Sequence, residues 1–230
     1  QAASRSDGEG RSTEARRHDG RRTGSSADPV GGRGRAGASE SDGQVEADAE
    51  PDVSPTLALR AAGETRWGGL LFLLHVVAEL GIPDEVAASD VFAARSLEWV
   101  LFQVAKALLG LDERDPAALA FAGLGPDRDP PSRGEEPATE TEMDGVDGLA
   151  RRLEARLFER LRREPAPDRR AAAALLRETA RRTATVEADP GWIDVRLSLD
   201  EVSVDVRRAG LDLDPGWLPW LGVVVRFVYE

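Results

Sequence analysis

The chain has 230 residues and a formal net charge of -12, from 30 basic and 42 acidic side chains. It has no cysteine and only two histidines, His18 and His75, which removes disulfides, thiolate metal sites, a cysteine nucleophile and any multi-histidine metal centre. The acidic balance argues against a general nucleic-acid binder, whose affinity rests on neutralising phosphate, and fits a soluble cytoplasmic protein or a salt-adapted one.

Residues 1–60 read as a disordered polar tail, rich in Gly, Ser, Arg, Asp and Glu with almost no large apolar side chains to offset the entropy of ordering. Within it, residues 32–37 match Gly-x-Gly-x-x-Gly formally. A dinucleotide site needs a strand before and a helix after, and neither is expected here.

The first folded part, residues 61–124, is expected to be a helical unit. Thr65 is read as the cap of a helix running from Trp67 through LLFLLHVVAEL, with Gly81 and Pro83 ending it. Its longest apolar run, Leu70 to Leu74, extends past His75 only to Ala78. That is far short of the roughly 20 residues of a membrane span. A second helix is expected from Ser89-Asp90, with Leu97, Val100, Leu101, Val104, Leu108 and Leu111 as its apolar stripe. Asp115-Pro116 reads as cap and first turn of a third, short helix closing near Gly123. Trp67, Phe72, Trp99 and Phe102 are the expected core of this unit.

Residues 125–145 read as a Pro/Gly/acid-rich linker. The segment 146–230 then reads as a helix pair followed by a small antiparallel sheet, giving an α+β chain. Val146, Leu149, Leu153, Leu157 and Leu161 stripe an arginine-studded helix that Pro165 terminates, and Asp168 is a cap for the next. Ile193, Val195, Leu197 and Leu199 alternate with polar residues, the period of a half-buried strand. Val202, Val204 and Val206 continue that alternation after a hairpin turn at Asp200-Glu201. Residues 221–229 form the closing strand.

The sheet region carries a repeated device: Asp189-Pro190-Gly191-Trp192 and Asp214-Pro215-Gly216-Trp217 each precede an apolar run. Proline presets the first central residue of a tight turn and glycine accepts positive φ at the second. These six Pro, Gly and Trp residues are therefore read as structural turns and anchors. Trp220, Val223, Val225, Phe227 and Tyr229 are read as a candidate partner surface, with a sheet edge at 221–229 open to an added strand.

Candidate chemistry is sparse. His75 lacks the Glu-x-x-His arrangement of a zinc ligand, and Glu79 is its nearest hydrogen-bond candidate. The carboxylate pairs Asp112/Glu113, Asp127/Asp129 and Asp212/Asp214 read as loop charge. Arg151, Arg152, Arg156, Arg160, Arg162 and Arg163 alternate with Glu154, Glu159 and Glu164, which predicts self-neutralising pairs on one helix. No catalytic residue, cofactor or metal ligand is expected.

Two stretches resemble proteins of contractile injection systems, the extracellular phage-tail-like particles. Thr65-Arg66-Trp67-Gly68-Gly69 with LLFLLHVVAELGI, then Asp112 to Leu124, is similar to the helix and trailing Asp-Pro-Ala-Leu segment of the tape-measure-type family. Val206 to Asp212 with DPGWLPWLGVVVRFVYE is similar to the tails of uncharacterised proteins encoded beside such particles. A length-setting ruler needs a long coiled coil, which this chain lacks. The resemblance therefore implies a non-enzymatic accessory or terminal assembly component whose partners are other particle proteins or further copies of itself. An adaptor domain for an unrelated protein and a carboxylate-dependent hydrolase are the alternative readings.

Overall fold

A computed structural model describes residues 60–201 and 203–230; the polar leader up to residue 59, with its glycine pattern, and Val202 lie outside the described residues. Within them the α+β expectation holds. Five strands form one sheet: β1 (Ala61–Thr65), β2 (Ala184–Asp189), β3 (Trp192–Leu197), β4 (Gly216–Leu218) and β5 (Val223–Tyr229). Their order is β1-β2-β3-β5-β4. The sheet is mixed rather than antiparallel, because β3 and β5 run parallel while the other neighbours are antiparallel. The crossover between β3 and β5 carries the short helix α7 (Val204–Arg208) and then β4.

The helices cover one face. A 3-10 turn at Gly68–Leu73 leads into α1 (Leu74–Glu79), followed by α2 (Ile82–Ala87), α3 (Leu97–Leu109), α4 (Pro116–Phe121), α5 (Glu140–Arg162) and α6 (Arg169–Ala180). Leu70, Phe72, Trp99, Phe102 and Leu153 share a single apolar cluster with Val186, Val195 and Val225 of the sheet. Trp67 packs against that cluster while only partly buried. The stretches read as a helical unit and a later helix-plus-sheet part thus have a common sheet and a common core. No helix among the described residues is long and apolar enough to cross a membrane.

Several elements differ from the sequence reading, each for a local reason. Thr65 caps no helix; it ends β1, and its hydroxyl donates to Asp115 at 2.8 Å. Strand structure at Ala61–Thr65 comes from pairing with β2, a tertiary influence that outweighs weak propensity. The helix expected through residue 81 is a 3-10 turn plus α1, and Gly81 with Pro83 both ends α1 and opens α2. Ser89 caps only a 3-10 turn at Asp90–Phe92; Ser96 caps α3, accepting from the Trp99 amide. The linker is shorter than expected, because Thr139 starts α5 within it.

Asp200-Glu201 makes no hairpin; it lies in a 3-10 turn at Leu199–Glu201, and Val204 and Val206 are helical. Val204 is exposed and Val206 buried. Residues two apart take opposite sides of a helix but the same side of a strand. The expected caps Asp115 and Asp168 do accept from Ala117 and Ala171 amides at 2.9 and 2.8 Å.

Candidate functional site

Alternation along each strand sends one set of side chains to the helices and the other to the opposite face. Val223, Val225 and Phe227 belong to the first set and are buried in the core. Trp220 and Tyr229 are partly buried against it, and desolvation lifts the Tyr229 phenol to about 12. These five residues therefore face inward rather than toward a partner. Val223–Val225 form no edge, since β5 lies between β3 and β4 there, while residues 226–229 run past β4 with one flank unpaired by any described strand.

The opposite face holds the other outcome of the repeated turn. Pro190-Gly191 makes a two-residue hairpin that sets Asp189 opposite Trp192. Gly191 has φ 81°, and an added Cβ would meet nothing there, so the glycine serves backbone conformation and not space. Pro215-Gly216 acts differently. Gly216, at φ 69°, opens β4, and the reversal into β5 is made instead by Leu218–Gly222. Both turns deliver their tryptophans to one place. Trp192 is the register partner of Val224 from one side and Trp217 is its partner from the other. Trp192, Val224 and Trp217 thus form one cross-strand row, with the two indoles 42% and 59% exposed.

The adjoining row is charged and internally satisfied. Arg226 donates to Asp194 through Nε and Nη2, at 2.8 and 2.9 Å, and its guanidinium lies 5.0 Å from the Trp192 ring centre. Arg60 donates to the same carboxylate at 2.9 Å and also pairs with Asp189 and Glu187. Arg196 donates to Glu187 at 2.9 Å and pairs with Glu230. Asp194 is only 2% exposed among these neighbours. Hydrogen bonding to Arg226, and then to Arg60, holds its pKa below the usual carboxylate value despite desolvation.

Most of the other residues singled out in the sequence have structural partners. His75 Nε2 donates to the Leu213 carbonyl at 2.8 Å, not to Glu79. Glu79 instead receives Arg156 and Arg160, and Arg152 reaches Glu85 at 2.6 Å. The arginines of α5 therefore neutralise α1 and α2 more than their own helix, with Arg156–Glu159 the intrahelical exception at 3.0 Å. Among the loop acids, Asp212 accepts from Arg207 at 2.8 Å and Asp214 from the Phe227 amide at 2.7 Å. Glu113 pairs with Lys106 at 3.1 Å, and Asp129 with Arg133.

Sequence reasoning missed the convergence of the two tryptophans, although the duplicated Asp-Pro-Gly-Trp was the signal for it. No family model matches the chain, and no curated protein or solved structure matches it either.

Proposed function

We propose that this protein is a non-enzymatic assembly component that acts by protein–protein contact, and that its setting is a contractile injection particle in the cytoplasm. The observation that supports contact as its mode of action is the row Trp192–Val224–Trp217. Two large aromatic side chains are presented to solvent on rigid strands, beside arginine, the residue types that dominate binding hot spots. The particle setting rests on the resemblance of residues 65–81, 112–124 and 206–230 to particle-associated proteins. Co-purification tests it: wild-type chain is expected in sheath-and-tube particles, and W192A/W217A is expected to be lost from them. Particles that assemble normally and lack the chain would overturn the setting.

An adaptor for an unrelated protein is the second reading. It is favoured by β1, a five-residue strand that forms one edge of the sheet and contains no proline.

A further inference from the structure

Resting on that contact reading, we infer that the row Trp192–Val224–Trp217 is a docking groove for a proline-rich segment in polyproline II conformation, flanked by basic residues.

The spacing of the two tryptophans suits such a ligand. Trp192 stands on β3 and Trp217 on β4, with β5 between them. Two inter-strand steps separate their backbones by ~9.6 Å. One saturated ring seated over Val224 would lie about 4.8 Å from the strand that carries each tryptophan, within reach of both indoles. Polyproline II helices dock in aromatic-lined grooves of this kind, at low entropic cost because the ligand is preformed.

The hydrogen-bond polarity of the face suits it as well. The carboxylates nearest the tryptophan row are already occupied: Asp194 by Arg226 and Arg60, Glu187 by Arg60 and Arg196, Asp189 by Arg60. What the groove offers is donors. Each tryptophan brings an indole N–H, and the Nη1 group of Arg226 takes no part in its pair with Asp194. A proline-rich backbone is the complementary chemistry, since it presents carbonyl acceptors and lacks amide donors. A carbohydrate presents hydroxyl donors as well, and would compete with arginines for the occupied carboxylates. Charge completes the match. The outward-facing carboxylates Glu64, Glu187, Asp189, Asp194 and Glu230 outnumber the guanidinium groups of Arg60, Arg196 and Arg226, which favours a basic flank on the ligand.

Isothermal titration calorimetry of the full chain with a synthetic peptide of ten prolines ending in two arginines tests the inference. Saturable one-to-one binding is expected. W192A and W217A should each weaken it at least ~10-fold, the loss typical of a hot spot. V204A, at an exposed site on α7, should leave it unchanged. Failure of the wild-type chain to bind, or wild-type affinity in W192A or W217A, overturns the inference. If sedimentation shows a concentration-dependent dimer abolished by W217A, a second copy is the occupant and the inference also falls. The particle experiment separates the two proposals. Loss of W192A/W217A from particles without peptide binding leaves the contact function standing with another ligand, while peptide binding without particle association does the reverse.

Discussion

Gly69 sits where the 3-10 turn after Trp67 touches the end of α6. A Cβ there would lie 2.2 Å from the Thr179 carbonyl oxygen, and one at Gly68 would lie 2.4 Å from the Ala184 Cβ. Both obstacles belong to packed segments, so G69A forces the backbones apart. It should destabilise the protein by about 3 kcal/mol in urea unfolding, the upper end for overpacking. Gly81 provides the contrast: at φ 63° with nothing within 4 Å of an added Cβ, G81A should cost only ~1–2 kcal/mol, from backbone conformation alone. Equal losses would contradict the packing account. The sequence marks Gly81 through its neighbour Pro83, but it does not mark Gly69. A close approach between residues more than a hundred positions apart leaves no local trace.

The start of α5 shows how an element's end can hold two regions together. Thr139 and Glu142 form a capping box: Thr139 Oγ1 accepts from the Glu142 amide at 3.2 Å, and the Thr139 amide donates to Glu142 Oε2 at 2.7 Å. The same carboxylate receives Arg95 Nε at 2.7 Å, and Arg95 lies 4.5 Å from the Trp99 ring centre. The Arg95 hydrogen bond, with help from the Thr139 amide, draws the Glu142 pKa down to about 2. A carboxylate depressed on folding adds stability that is complete above its ordinary pKa of 4.5 and disappears as pH falls toward 2. The thermal midpoint should therefore drop between those pH values, and E142Q should flatten that drop while lowering the midpoint near neutrality. A wild-type acid limb that E142Q leaves unaltered would remove Glu142 from the explanation. The Thr-x-x-Glu spacing is legible in the sequence, yet acidic, proline-rich surroundings make it read as linker. Caps at Asp115 and Asp168 are legible because each directly precedes its helix. The strand β1 is not: Ala-Ala-Gly-Glu-Thr has little strand preference until β2 is beside it.

At the scale of the whole molecule, chain segments on either side of the 123–139 loop are interleaved. β1 pairs with β2 from Ala61↔Ala188 to Thr65↔Ala184, and both sides contribute to one apolar cluster. Arg133 is exposed in the intervening loop. Limited trypsin cleavage within this loop, after Arg128 or Arg133, should leave the parts before and after it co-eluting on native gel filtration and separating only in denaturant. Separation under native conditions would mean that the shared sheet and core contribute little to cohesion. This joining is not legible in composition, which shows an ordinary linker; it depends on strand pairing across the interruption.

The short β4 and the Asp214 carboxylate have a consequence for growth. Past β4's three residues, the exposed flank of β5 has its Phe227 amide already taken by Asp214. Polymerisation by edge-to-edge stacking requires a usable margin on both sides, and among the described residues this sheet offers a full-length one only at β1. Association through that margin ends at a closed pair, so the architecture guards against runaway fibres while leaving a single partner welcome.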